Sequence, residues 1–389
     1  MYSEQDLRDA VAGGAISAEA AEALRGHVAQ MRRMPVTDEE NFRLVNSFND
    51  IFVAIGAVIM LVAMGAVGQA IATEIARSFY PAVQQSPQYW AEMSEEAWRQ
   101  YSDYSTLRTT LSALFGGILV AGTSWVLAEF FTRRRRMALP SIILLLAFIA
   151  GSFASLFGLG LSVMGDENQR TVAIVIALAG LLAAGAARLH WKRFMVPITV
   201  AAGAAAIAVA VMALIAFVVG DAVEDIETFM LTMVFFAGLA VFAFAMWWDT
   251  SDRDRRTRRS DVAFWLHLLA APMIAHPVFA LIGVIDNDEL GVGAAIGVLA
   301  VYVAFGLIAL AVDRRALLVS ALAYVLIALT YLFDRFGAVE LTVALTALVI
   351  GSALLTLSAF WAPIRAGLVE KLPGGLQARL PVTGQLAAA

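Results

Sequence analysis

The chain has 389 residues, of which 60% are hydrophobic and only 15% are charged, and its formal net charge is −5. Soluble domains are about 45–50% apolar and about 25% charged, so this composition excludes an ordinary soluble protein and favours long segments in lipid. The absence of cysteine excludes disulfides, thiolate catalysis, iron–sulfur clusters and covalently attached haem, and nothing in the sequence supports nucleic-acid binding.

The first 34 residues predict a small cytoplasmic helical hairpin. Ser3 and Ser17 are suitable helix caps, and Gly13-Gly14 ends the first helix. Each helix carries one apolar stripe, but a hairpin of this length cannot bury a core of its own. We expect the stripes to dock on the membrane domain, on a protein partner or on a second copy of the chain.

This hairpin, with its turn AVAGGAISAEAAEAL, resembles the short SHOCT-like segment that precedes the membrane domain in a family of uncharacterised bacterial polytopic proteins. Beyond residues 1–34 the similarity is a succession of apolar hairpins with basic residues on one side. The family is described only by a domain of unknown function. The resemblance therefore implies a polytopic membrane fold and assigns no functional residue.

Residues 35–50 predict a juxtamembrane helix that runs into the first span, with Thr37 and Glu40 as a capping box. Arg43, Asn46 and Asp50 share one face of this helix because they lie three and four residues apart. They form either a polar collar at the cytoplasmic headgroups or a gate contact.

Ten apolar stretches within residues 51–361 predict an all-α, polytopic membrane protein whose transmembrane helices form hairpin pairs. Each has 18 to 26 residues, close to the ~20 needed to cross ~30 Å of hydrocarbon. With the amino terminus in the cytoplasm, 22 of the 27 basic residues fall on the cytoplasmic side, as the positive-inside rule requires. We therefore predict a bacterial inner-membrane protein with both termini cytoplasmic. The predicted spans are 51–73, 109–131, 138–163, 171–189, 195–220, 228–248, 262–285, 291–312, 316–333 and 341–361.

The extracytoplasmic segment 74–108 is long and rich in aromatic residues. Ser94, followed by two glutamates, predicts a helix start, and Trp98, Tyr101 and Tyr104 recur at helical spacing. Aromatic rings favour the membrane interface. The segment is either an interfacial helix lying flat on the outer leaflet or a lid over an outward-facing cavity.

Residues 362–389 predict a cytoplasmic amphipathic tail. Ile364, Leu368 and Leu372 form one apolar face of a short helix beside Arg365, a pattern typical of a helix on the membrane surface. The basic turns are expected to contact lipid headgroups through Arg133, Arg134, Arg135, Arg136, Arg255 and Arg256.

The seventh predicted span is the intramembrane stretch with the most distinctive chemistry, because it holds two histidines and two prolines. Pro272 and Pro277 each remove an intrahelical hydrogen bond and predict a kinked helix. His267 and His276 are nine residues apart, so an unbroken helix points them in opposite directions and they would not share one metal.

His276 lies near the middle of this span and is the candidate ligand or proton site. The competing interpretation is a neutral imidazole that is hydrogen-bonded to a hydroxyl on a neighbouring helix. Tyr324 on the ninth span is one available hydroxyl. Such hydroxyl groups, like the GxxxG pair Gly293 and Gly297, more often hold helices together than line a transport path.

The sequence contains no P-loop, no HExxH and no arrangement of serine, histidine and acid for nucleophilic work. We therefore predict no catalytic residue, no bound metal and no cofactor. Two functions stay open, and for neither does the sequence name a small-molecule substrate.

The first function is a non-catalytic accessory, sensory or assembly factor that binds membrane lipid, or a protein partner through residues 1–34. The second is a secondary transporter of five plus five helices with its site near the proline-broken seventh span. The scarcity of deep charge favours the first. A water-accessible cavity reaching His276 would favour transport, whereas a packed bundle with an exposed apolar groove would favour binding.

Overall fold

A computed structural model of the protein describes residues 10–24, 48–81, 83, 94–165, 168–219, 222–253, 255, 257–283, 291–335 and 342–383. Within these ranges the chain is almost entirely helical and forms no strand, which confirms the predicted all-α fold. Most of the juxtamembrane helix predicted at residues 35–50 lies outside the described residues, as do Arg43, Asn46 and Arg256.

Ten long helices follow one another along the described chain, and most sequence neighbours pack as hairpins. The first nine are each long and apolar enough to cross a membrane, and the tenth meets that condition together with a short helix to which it is joined at a bend of 72°. By length and composition, the described residues therefore supply nine or ten helices that could span a membrane. The helices are α1 (Phe48–Phe79), α2 (Glu95–Ala128), α3 (Ala138–Met164), α4 (Gln169–Phe194), α5 (Ile198–Val219), α6 (Ile226–Thr250), α7 (Arg258–Leu281), α8 (Val292–Val312), α9 (Ala316–Arg335), α10 (Thr342–Ala359), α11 (Trp361–Glu370) and α12 (Gly374–Gln377).

Helix α7 is the centre of the bundle. Of its most apolar stretch 56% is buried, against 39% or less in the other eight candidate spans. It packs against α5, α6 and α9, and its side chains Val262, Leu266 and Phe279 are fully buried. Pro272 and Pro277 lie inside this helix, which continues through both of them. The predicted break of the seventh span is therefore not present.

Glycines bring the first three helices into close contact. A Cβ atom built on Gly68 of α1 would overlap the backbone of Gly116 on α2, and one on Gly117 would lie 2.5 Å from the carbonyl oxygen of Gly151 on α3. Only residues without a side chain allow helix backbones to approach this closely. The predicted pair Gly293 and Gly297 shows no such contact among the described residues, where a Cβ atom would meet nothing nearer than 3.9 Å.

Helix α2 corrects the prediction for the aromatic segment. Ser94 caps the helix as expected, since its Oγ accepts a hydrogen bond from the amide of Ala97 at 3.3 Å. The helix then runs without interruption for 34 residues, about 51 Å at 1.5 Å per residue. Trp98 and Tyr101 therefore lie on the same continuous helix as the second span and do not belong to a separate helix lying flat on the membrane.

At the other end of the sequence, a short helix follows the tenth span as predicted. Helix α11 begins at Trp361, and Pro363 lies in its first turn, where a missing amide hydrogen costs no intrahelical bond. Its Val369 is buried against Val312 and Leu380. The helix is thereby fixed to the bundle by its own apolar side chains.

Candidate functional site

Basic side chains cluster at the connections between α2 and α3, α6 and α7, and α8 and α9, and in the last turns of α4. We call the end of the bundle where they lie the basic end. Of the predicted headgroup contacts there, Arg133 to Arg136 are exposed, and Arg133 also pairs with Glu129 at 3.3 Å. Arg255 instead turns inward against Asp313.

A buried ionic triad lies beneath the basic end. Asp249, in the last turn of α6, holds its Oδ2 2.9 Å from Nε2 of His267 and its Oδ1 2.7 Å from Nη2 of Arg314. Arg314 also donates to the carbonyl and hydroxyl oxygens of Ser260. The three ionisable side chains are 1%, 3% and 5% exposed. Each charge in this triad therefore finds its partner within the protein.

A second carboxylate, that of Asp313, extends the network. Asp313 ends α8 in the left-handed conformation, with φ of 60°. Its Oδ2 accepts a hydrogen bond from Arg255 at 2.7 Å, and its Oδ1 accepts one from Nε1 of Trp361, also at 2.7 Å. Burial lowers the pKa of Arg255, the nearby Arg314 lowers it further, and Asp313 raises it. Arginine still keeps its charge, because its ordinary pKa lies far above neutral.

The chain after α11 closes this end of the bundle. Nε of Arg253 donates to the carbonyl of Leu380 at 2.9 Å, and Nη2 of Arg365 donates to that of Pro381 at 2.7 Å. We call residues 377–382 the strap. We call the triad, Asp313 with its partners, and the two strap-binding arginines together the polar cluster. The polar cluster and strap tie α6, α7, α8 and α11 together through groups that are mostly satisfied internally.

Sequence reasoning singled out His267 but missed its partners. Asp249 and Asp313 were passed over because each stands at the end of an apolar span, where a solvated residue is expected. One signal was available, since both are acidic residues that directly border strongly basic turns. A carboxylate in that position is a natural partner for buried arginine.

His276 lies apart from the polar cluster. Its Nδ1 is 2.7 Å from the hydroxyl of Tyr324, so the structure joins the two residues that the sequence suggested as partners. The Tyr324 ring in turn stacks on Phe279, with centroids 4.5 Å apart. His267 and His276 do not meet, because each has its own partner on a different helix.

The sequence did not predict the position of a third histidine, His190. His190 on α4 is fully buried, and neither ring nitrogen has a hydrogen-bond partner within the described ranges. Its ring centroid lies 4.5 Å from that of Phe194, 5.7 Å from that of Phe148 and 6.1 Å from that of Trp125. The imidazole is enclosed by aromatic rings.

A groove of about 590 Å³ lies in the side of the bundle, between α5 and α6 with α4 beneath. Its floor consists of small residues such as Ala187, Gly203 and Ala204, and larger side chains such as Phe236 and Ile207 form its walls. Helix α5 packs closely on α4 and α7 but hardly touches α6, although the two are neighbours in sequence. The groove is the gap between them.

One end of the groove is polar. Arg188, Trp191 and Thr199 line it where α4 ends and α5 begins, toward the basic end. Arg188 is exposed and forms no ion pair with any described residue. Thr199 is only 1% exposed, and its Oγ1 has no hydrogen-bond partner in the part of the chain that the structure describes. His276 does not line this groove.

Among the described residues, no three histidine, aspartate or glutamate side chains come together as metal ligands. The resemblance of the amino-terminal hairpin to the SHOCT-like segment stays a prediction. Comparisons with protein-family models, with curated proteins and with solved structures gave no match for this chain, so its functional assignment depends on the polar cluster, the groove and the fold that positions them.

Proposed function

We propose that this chain is a non-catalytic integral protein of the bacterial inner membrane that acts by binding, as an accessory, sensory or assembly factor. The observation that carries the proposal is the apolar groove between α5 and α6, which opens sideways from a packed bundle. Ile207, Val211 and Phe236 line this groove and are 51%, 49% and 58% exposed. In a membrane, such side chains face lipid or the apolar surface of a partner.

We place both termini in the cytoplasm. The excess of arginine and lysine at the basic end supports this orientation, because cytoplasmic loops carry the positive charge of membrane proteins. The strap binds at the same end, through Arg253 and Arg365. Single cysteines at Ser94 and Ser251 test the orientation in this cysteine-free chain. An impermeant maleimide should label Ser94→Cys in intact cells and leave Ser251→Cys unlabelled.

Transport by a five-plus-five arrangement is the function against which we argue. A transport path needs alternating aqueous access to a site near the midplane. His276 is instead engaged by Tyr324 and is absent from the groove lining. At the basic end, the polar cluster and the strap occupy the position where a cytoplasmic opening would lie among α6, α7 and α8.

The amino-terminal hairpin is the proposed contact for a protein partner. Within residues 10–24 the backbone is helical on both sides of a turn, and Gly14 has a φ of 71° there, which favours glycine. Deleting residues 1–34 should leave a membrane domain that inserts and purifies normally but no longer retains its protein partner. Degradation of the truncated chain at normal expression would instead make the hairpin part of the packing.

Purification in a mild detergent, followed by mass spectrometry of bound proteins and lipids, tests the binding function. The proposal predicts a stoichiometric companion, lipid or protein, that a bulky side chain in the groove displaces. Ala240→Phe fills the groove at an exposed position, and Ala63→Phe on α1 is the matched control outside it. Saturable solute uptake into proteoliposomes that His276→Leu abolishes would contradict the proposal and establish transport.

A further inference from the structure

We propose that the groove binds one acyl chain of an anionic glycerophospholipid, with the lipid phosphate at Arg188 and an ester carbonyl at Thr199. This inference rests on the proposed binding function and names the ligand of that same groove. Its premise is that the groove is amphiphilic, with one polar end and a long apolar body. A ligand that matches it has a charged head and a single extended tail within reach.

The dimensions of the groove favour a chain over a helix. Its lining on α5 runs from Thr199 to Ile215, a length of about 24 Å at 1.5 Å per residue. Even the whole empty space between the walls, about 1370 Å³, then gives a mean cross-section of about 57 Å². An α-helix with side chains is 10–12 Å wide and needs about 80 Å² or more. A partner helix would therefore have to lie largely outside the walls, along the open side of the groove, whereas an extended acyl chain fits between them.

The charge at the polar end selects the headgroup. Arg188 lines the groove with its guanidinium unpaired by any described residue. Lys192 is exposed and lies four residues later on the same helix, so both cations are on one face, one turn apart. Two cations at one position favour phosphate, and arginine binds phosphate through two parallel hydrogen bonds. Trp191 between them is the residue type most typical of the membrane interface.

The hydroxyl of Thr199 is the second, independent observation. It is buried, it lines the groove, and its Oγ1 lacks a partner in the described chain. Buried hydroxyls are almost always hydrogen-bonded, so an unpartnered one at the edge of a cavity indicates a missing acceptor. This oxygen is closed off from solvent in the structure, so a rotation about χ1 must first turn it toward the groove. The ester carbonyls of a glycerophospholipid, which lie between its phosphate and its tails, could then accept the bond. A detergent without an ester would leave the hydroxyl unsatisfied.

The test is lipid titration followed by native mass spectrometry of the full chain in detergent. The probes are palmitoyl-oleoyl phosphatidylglycerol and, as a neutral control with the same tails, palmitoyl-oleoyl phosphatidylcholine. We expect the wild type to hold one phosphatidylglycerol at least tenfold more tightly than phosphatidylcholine. Both lipids carry the phosphate, so Arg188→Gln should weaken the binding of both by about tenfold or more, as expected for a charge-assisted hydrogen bond. It should also reduce the preference, which arises because Arg188 and Lys192 repel the choline cation of phosphatidylcholine.

Three further variants complete the design. Thr199→Val keeps the shape of the side chain and should weaken both lipids about two- to tenfold, as expected for one neutral hydrogen bond. Ala240→Phe should abolish stoichiometric binding. Arg134→Gln removes an exposed arginine at the same end that does not line the groove, and it should change nothing.

The headgroup assignment would be overturned if wild type and Arg188→Gln each bound phosphatidylglycerol and phosphatidylcholine equally tightly. Lipid binding by Ala240→Phe at the wild-type level would overturn the location of the site. A free fatty acid or a second copy of the chain found in the groove would also refute the phospholipid. Recovery of a stoichiometric protein partner without lipid would refute this inference and preserve the binding function. Recovery of neither companion, together with solute uptake, would refute both.

Discussion

Most polar groups of the polar cluster at the basic end have partners within the protein, with Nε of Arg255 and Nε of Arg365 as exceptions, whereas those at the polar end of the groove between α5 and α6 have none among the described residues. In the polar cluster, Asp249 and Asp313 pair with Arg314 and Arg255 over distances of 2.7 Å, and the strap carbonyls accept bonds from further arginines. In the groove, Arg188 and Thr199 have no partner within the described chain. A buried polar group that is satisfied internally holds the fold together, whereas one left unsatisfied beside a cavity indicates a ligand.

Removing a carboxylate from the triad should have the largest effect on stability. Asp249→Ala leaves Arg314 and His267 buried without their acid, and breaking a buried pair from one side costs about 3–5 kcal/mol. Thermal unfolding in detergent, monitored by size-exclusion chromatography, measures the loss. Asp103→Ala, an exposed carboxylate on α2, is the control and should be neutral. An unchanged unfolding temperature for Asp249→Ala would show that the triad does not hold the fold together.

The glycine contact between α1 and α2 should give the next largest effect. Gly68→Ala places a Cβ atom against the backbone of Gly116, and overpacking of this kind costs about 1–3 kcal/mol. Gly56→Ala lies on the same helix in open space, so it should be neutral or stabilise by up to about 1 kcal/mol through helix propensity. The same thermal assay compares the two. Equal behaviour of both variants would mean that α1 and α2 are not in such close contact.

Trp361→Phe tests the link between α11 and the polar cluster. The change removes the hydrogen bond from Nε1 to Asp313 but keeps an aromatic ring under Arg315. One neutral donor to a carboxylate contributes about 1–2 kcal/mol. Limited proteolysis should then cut the strap sooner than in wild type. An identical proteolysis pattern would show that Trp361 does not hold the strap in place.

The smallest effect is expected at His276. Its ring is exposed in part and shares one hydrogen bond with Tyr324, so His276→Leu should cost about 0.5–1.5 kcal/mol by orphaning that hydroxyl. His276→Gln can keep the bond and should cost less. Neither change should affect ligand retention if His276 is structural. Loss of ligand binding in both variants, with an intact fold, would restore His276 as a functional site.

The sequence predicted the parts of this structure that depend on local chemistry. Span lengths, the Ser94 cap and the helix after Pro363 follow from apolar runs and capping residues, which act within a few positions of one another. The partnership of His276 with Tyr324 was foreseen as one of several options, because an imidazole within an apolar span favours a hydroxyl from some neighbouring helix.

What the sequence could not predict depends on which helices meet. The close contact is between Gly68 and Gly116, on different helices, and not at the GxxxG pair in α8. A glycine pattern on one helix does not show which surface of another helix will face it. The triad joins Asp249, His267 and Arg314, which are separated by up to 65 positions. The groove exists because α5 packs on α4 and α7 and makes few contacts with α6. No local sequence pattern indicates which of these helices α5 contacts.

Phospholipid retained per folded chain, compared between one groove variant and one variant of the polar cluster, tests the central claim most directly. Both proteins are purified in the same mild detergent, and bound phosphorus is measured on the monodisperse fraction. We predict that Ala240→Phe loses its bound phospholipid while Trp361→Phe retains the wild-type amount. Retention by Ala240→Phe together with loss by Trp361→Phe would place the binding site at the basic end and contradict the assignment.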